Sequence, residues 1–429
     1  MSVPFSADLS RDWRWNNVDA WRERRMNGSR RFTVILASAV AIAAAAILMM
    51  SHRSSRVEGA SSIAIDLPVA SDELVIPAGK GPGALILADL NHDGKLDILV
   101  ANVESETLSV LLGDGKGHFV AAPGAACATG KSPNDIAVGD FNGDGNLDLV
   151  IANTETPNLT ILLGDGKGGF KASAKSPFVV ASRPHVHGVA VGDFTSDGKL
   201  DVVTDSWGNN QILMLTGDGA GNLSGPGKIF NVGKRPYERL RVADFNKDGI
   251  PDVVTTDLDQ NAVTILLGDG HGGFREAGGS PSSAGMAPWA VAIDDINKDG
   301  NLDLVVIPYA PEVKDPKLVG MTVLLGDGRG GFRTMSGSPF SLAGCGGPDR
   351  IAIGDLNGDG VRDVVVSCAQ SNSLVFFMGK REGGFGVASR QLKDIGWSGL
   401  AVGDLNGDGK DDVVVSNNGS GTVTILWGK

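Results

Sequence analysis

The sequence predicts an all-β protein, a seven-bladed β-propeller of four-stranded antiparallel blades, preceded by one N-terminal transmembrane helix. Three observations carry this. One nine-residue string, D-x-[N/T]-x-D-G-x-x-D, returns seven times at intervals of 51, 53, 51, 51, 60 and 49 residues. Short runs rich in Val and Ile, bounded by Gly, Asn and Asp, flank every copy, the pattern of strands and turns rather than helices. A single uncharged stretch of 19 residues, Phe32–Met50, stands apart behind an arginine-rich tail.

Composition agrees. The 61 glycines among 429 residues are too many for a helical bundle, and 42% hydrophobic residues are too many for a disordered chain. A formal net charge of −12 argues against nucleic acid as a partner. Three cysteines are too few for a disulfide framework and lack zinc-ligand spacing.

The chain divides at the N-terminus into a basic cytoplasmic tail (1–31), a signal-anchor helix (32–50) and a linker (51–61), with the propeller over 62–429. As a helix, Phe32–Met50 spans about 28 Å, close to the hydrocarbon thickness of a bilayer. Seven arginines precede it, so that end stays in the cytoplasm and the rest is exported, to the periplasm or cell surface. Cleavage as a signal peptide would instead release a secreted propeller.

Each repeat of about 50 residues holds four strands. An apolar run (IAVGD, VAVGD, LRVAD) precedes the Asp-rich string, another follows it (LDLVIAN, LDVVTDS, DDVVVSN), and a third ends in a turn (LTILLGDGKGGF from Leu159). A more variable run follows that phenylalanine. Such a sheet cannot bury both faces alone; stacking it between neighbours in a ring does so. The seventh unit stops at TVTILWGK after its third strand, while spare strand-like sequence lies ahead of Asp89, so residues near 62–77 are expected to complete the last blade.

The strings place oxygen ligands around a hard cation. The expected ligands are positions 1, 3, 5 and 9: Asp89, Asn91, Asp93, Asp97; Asp140, Asn142, Asp144, Asp148; Asp193, Thr195, Asp197, Asp201; and Asp244, Asn246, Asp248, Asp252. The last three loops supply Asp295, Asn297, Asp299, Asp303; Asp355, Asn357, Asp359, Asp363; and Asp404, Asn406, Asp408, Asp412. Glycine at position 6 lets the backbone turn over the ion. Position 12, glutamate in an EF-hand, is Val, Ile or Thr here, so the position-9 aspartate takes that glutamate's part and the cofactor is up to seven Ca²⁺. The competing reading makes the same residues Asx turns, bonding only their own backbone. The lone aspartates of the G-D-G turns (Asp114, Asp165, Asp218, Asp269, Asp327) read as turn-formers.

Over residues 60–429 these strings, with the G-D-G-x-G-x-F turns after them, resemble the FG-GAP/VCBS repeat family and, more distantly, the integrin α-subunit propeller. The resemblance implies a seven-bladed propeller with calcium between the first two strands of each blade. A literal Gly-Ala-Pro is absent, so an integrin-like partner does not transfer. The family hosts adhesins, lectins, accessory domains and some polysaccharide lyases.

In a four-strand meander the calcium loops and G-D-G turns share one face, leaving the other for a ligand. There the residues at the start of the inner strands include His185, His187, Tyr237, Arg239, Trp289, Arg350 and Trp397, aromatic and charged groups that suit a sugar or a peptide. The alternative is that they plug the channel mouth. No paired-carboxylate or nucleophile signature demands catalysis. The expectation is a non-enzymatic recognition or adhesion module for a protein or glycan outside the membrane. The alternatives are a carbohydrate-active protein (lectin or lyase) and a structural subunit of a membrane-anchored assembly. Cys345 and Cys368 lie on one face of blade six, as a disulfide or as two buried thiols; Cys127 has no evident partner.

Overall fold

The computed structural model describes residues 67–123, 127–182, 186–236, 240–309, 319–396 and 398–429, all within the compact unit Ile63–Lys429. The tail, anchor and linker expected over 1–61 lie outside the described residues. Among those described, no helix is long and apolar enough to cross a membrane.

Seven antiparallel sheets form the blades. Blade one runs in order through Pro82–Ala88, Asp97–Asn102, Thr107–Gly113 and Phe119–Ala121. The second strand of every blade is buried at all six positions, from Asp97–Asn102 to Asp412–Asn417, because sheets cover both of its faces. That is why these strands read as unbroken apolar runs instead of alternating ones.

Cores form between blades. Leu99 and Val110 of blade one pack with Ile136 and Leu149 of blade two. The same packing joins the ends of the ring, where Leu85 and Ile98 meet Val414 and Ile425. The last blade is Leu400–Gly403, Asp412–Asn417 and Thr422–Gly428, completed by the N-terminal strand Val69–Pro77. That strand pairs antiparallel with the C-terminal one (Leu74 with Ile425, Ile76 with Val423), as the missing outer strand of the seventh repeat required. Arg390 of blade six fastens it, donating to the Ala70 and Ser71 carbonyls and pairing with Glu73 at 2.9 Å.

The variable fourth run has a reason for its variability. In blades two, four and five it is two short pieces on the same third strand, for example Phe170–Ala172 and Phe178–Val179. A Ser-Pro step separates them, since proline brings no N–H to the ladder. At the break the serine hydroxyl takes up a third-strand N–H: Ser176, Ser280 and Ser338 accept from Ile161, Ile265 and Val323.

Candidate functional site

The Asp-rich loops connect the first and second strands of their blades and repeat one bonding plan. The position-1 carboxylate accepts the N–H of the position-6 glycine in all seven, from Asp89 with Gly94 (2.9 Å) to Asp404 with Gly409 (2.9 Å). The position-5 carboxylate accepts the N–H of position 7, as Asp93 does from Lys95 at 3.0 Å. In six loops the position-3 asparagine touches the position-5 carboxylate through its Nδ2, at 2.8–3.3 Å. In the third loop Thr195 turns away and donates its hydroxyl to Asp201 at 3.1 Å.

Position 9 has a second function that the string alone hides. One oxygen of Asp97 accepts the Leu90 N–H at 2.9 Å and the other the Gly113 N–H at 2.8 Å. Every blade repeats this, through Asp148, Asp201, Asp252, Asp303, Asp363 and Asp412. The aspartate therefore bolts the calcium loop to the end of the third strand. In blades one to five the glycine it holds is the first of G-D-G, and a Cβ at Gly113 would lie 2.4 Å from the Leu96 carbonyl oxygen. The aspartates of the G-D-G turns bond their own turn, as Asp165 does with the N–H groups of Lys167 and Gly169.

These residues fit a calcium ion. The donors are hard oxygens, and each oxygen that accepts one N–H keeps a second lone pair. Burial pushes the position-9 carboxyls up, to about 6 at Asp363 and Asp412. The negative charges at positions 5 and 1 of the same loop push in the same direction. Among the described residues no three acidic, histidine or cysteine side chains are grouped so as to hold a metal ion. The hydrogen bonds are those of the Asx-turn reading, and the two readings are compatible: the turns hold the loop wrapped, and the remaining lone pairs offer the cage.

Adjacent loops also touch. Position 4 sits at positive φ in each loop that carries a side chain there (His92, Ser196, Lys247, Lys298), which directs it sideways. His92 reaches Asn146 of the next loop at 3.1 Å and Lys247 reaches Asn301 at 2.8 Å.

On the opposite face, His185, Tyr237, Arg239 and Trp397 lie outside the described residues. His187 is buried; its N–H and that of Gly188 bond Asp205 Oδ1 at 2.8 and 2.7 Å, and its ring Nδ1 is 3.6 Å from Asp205 Oδ2. Arg350 is 9% exposed and pairs with the buried Asp349 at 2.7 Å, whose other oxygen accepts the Ser398 N–H of blade seven. Trp289 is 5% exposed and stacks on Tyr309 with ring centroids 4.5 Å apart. It lies in an inter-blade core rather than presenting an open platform. A register shift between Pro288 and Ala290 breaks the alternation from which its direction would be read.

In five blades the last residue of the second strand forms a brace near this face. Asn102 accepts the Gly79 N–H at 3.0 Å and donates to Ser109, while Asn153 and Asn417 donate to Thr160 and Thr424. In blade six the equivalent residue is Cys368, bonded to Cys345, so the pair is a disulfide. Cys127 is a free thiol whose Sγ–H donates to the Phe170 carbonyl. Replacing Cys345 and Cys368 together by Ala should cost about 3 kcal/mol by loop closure, seen as a lower Tm without reductant and no difference from wild type with it.

In blade four the brace is Asp257, which accepts the Thr264 hydroxyl at 2.5 Å. Burial pushes its carboxyl up to about 7. Folding therefore favours the protonated acid, and stability falls as pH rises from about 4 through about 7, by up to about 4 kcal/mol. Asp257→Asn restores the amide of three other blades and should raise Tm at pH 8, with the gain vanishing near pH 4. An equal or lower Tm at pH 8 would refute the buried-charge account.

With the geometry in place, comparison with known proteins is direct. The FG-GAP-like repeat model matches residues 89–151, 140–204, 244–306 and 355–415, more than half of the chain, and the protein belongs to that family. Cartilage acidic protein 1 of Mus musculus is 26% identical over 189 residues, covering 40% of this chain and 28% of that protein. The match thus spans little more than a quarter of that relative's length. Among solved structures, virginiamycin B lyase of Staphylococcus aureus superposes with a TM-score of 0.52 at 13% identity, over 83% of this chain and 99% of that one. An Agrocybe aegerita lectin that recognises non-reducing terminal N-acetylglucosamine gives 0.51 at 18% identity, over 80% and 87%. At these identities the likeness is one of fold.

Proposed function

We propose that the protein is a calcium-binding propeller that serves outside the cytoplasm as a recognition or adhesion module, without chemistry of its own. Residues 32–50 would hold it at the membrane, with the basic tail on the cytoplasmic side. The observation that supports this reading is the bonding plan of the loops, repeated in seven blades, which wraps three aspartates into one short turn, where their like charges repel. A divalent ion relieves that repulsion, and positions 1, 3, 5 and 9 of each loop would hold it. Metal analysis of protein purified in calcium should find up to seven Ca²⁺ per chain; finding none would remove the cofactor.

A carbohydrate reading is the alternative, with the buried His187 ring Nδ1 lying 3.6 Å from Asp205 Oδ2. A glycan array probed with the full-length protein in calcium separates the readings. Binding to defined saccharides would favour a lectin, and release of unsaturated uronides from a polysaccharide would favour a lyase. Silence in both, with a protein partner recovered by cross-linking, would favour the recognition module.

A further inference from the structure

The inner strands of the seven blades enclose a cavity of about 360 Å³, within the size range of small-ligand sites. Strand register sorts its lining into tiers. One tier is aliphatic, with Leu85, Ile136, Val189, Val291, Ile351 and Leu400 at matching positions. One step closer to the calcium loops, five blades place alanine (Ala137, Ala190, Ala292, Ala352, Ala401) and the first places Ile86. The fourth blade places Arg241 there, paired with Val254 as the others are with their own partners.

An arginine where alanine suffices elsewhere has to be accounted for. Its Nη1 donates to the Leu240 carbonyl at 2.9 Å and lies 3.6 Å from Asp135 Oδ2 of blade two, an ion pair longer than a hydrogen bond. Asp135 Oδ2 itself accepts the Val189 N–H. The guanidinium carries five N–H donors in a planar fork, and its side chain remains 35% exposed in a cavity whose lining it shares with Asp135. Arg350 lines the same cavity. The aliphatic tier is packed into the cores between blades (Val291 1%, Val189 2%, Ile136 6% exposed), so what the cavity offers a ligand is the fork of donors, which fits a planar anion.

We propose that the central channel is a binding site for a small organic monocarboxylate, its carboxylate taken by Arg241. This goes beyond the recognition reading by naming a place and a ligand class, and it does not depend on calcium.

The test uses the full-length protein and ligand-observed NMR with benzoate, cyclohexanecarboxylate and hexanoate, each against its primary amide. The three carboxylates should bind at least about tenfold more tightly than the amides, about 1.4 kcal/mol. Arg241→Ala, which gives blade four the alanine of five others, should remove that preference while leaving the weak amide signal. Arg241→Gln, keeping length without charge, should do the same and covers the case in which the alanine variant fails to fold. Equal binding of acid and amide, no binding of any probe, or an unchanged carboxylate affinity in either variant would overturn the proposal. A lower Tm in the variants with no carboxylate binding by wild type would leave Arg241 a purely structural partner of Asp135 and overturn it as well. Repeating the titration in chelator separates this outcome from failure of the calcium reading, which would show as an unchanged melt and not as lost carboxylate binding.

Discussion

Chelating calcium should lower the melting temperature of the full-length protein by on the order of 10 °C or more. Extracellular calcium modules bind at about 10⁻⁴–10⁻³ M. At millimolar calcium a 10⁻⁴ M site adds about 1.4 kcal/mol, and seven independent sites approach 10 kcal/mol, comparable to the stability of a whole domain. Converted at the slope expected of a large domain, that is a shift of this size. The geometry refines the expectation. Because position 1 already accepts the glycine N–H in every loop, the metal-free turns have bonds of their own. Chelation should therefore lower Tm and leave a folded ring, with the circular dichroism of the cool protein unchanged. The third loop, whose Thr195 is turned toward Asp201, should be the weakest site. A melt indifferent to chelator would remove the metal and leave the Asx turns as the whole function of the strings.

Repeat arithmetic made the fold legible. The period, the apolar runs and the truncated seventh unit led to seven blades closed by the strand Val69–Pro77, because each follows from burial alone. The broken outer strands were illegible for the complementary reason: they have one solvent-facing side, and their Ser-Pro steps left no apolar pattern to count. The Asp-rich loops were legible as turns between the first and second strands, with oxygen donors at regular spacing. The bolt made by position 9 was not, since it joins residues 16 apart, Asp97 with Gly113, and only pairing register brings them together. The signal that would have found it is the spacing from that aspartate to the glycine ending the third strand, 16 residues in six blades and 23 in the fifth, where Asp303 meets Gly326. Arg241 escaped notice because its singularity shows only when seven inner strands are aligned by register. Trp289 read as an exposed platform in a chain poor in aromatics, and a bulge places it in the core instead.

Replacing one position-9 aspartate, Asp363→Ala, should cost roughly 2–6 kcal/mol, because it strips partners from two buried backbone N–H groups at roughly 1–3 kcal/mol each. Those donors are Leu356, at 3.0 Å, and Gly379, at 2.8 Å. A pure calcium ligand would behave differently: in excess chelator its loss would cost nothing, since there would be no ion to lose. The two functions therefore separate by experiment. With Asp363→Ala the destabilisation should persist in chelator and grow in calcium by about one site's contribution, about 1.4 kcal/mol at millimolar ion. Asp363→Asn should fall between, because the amide oxygen accepts one N–H while its NH₂ faces the other donor. Gly379→Ala offers a check that touches no carboxylate, since the new Cβ would sit 2.3 Å from the Arg362 carbonyl oxygen and force the same joint apart. Urea melts of the three variants, each with and without calcium, read all of this. If Asp363→Ala matched wild type in chelator, the joint would contribute nothing and position 9 would be a ligand only.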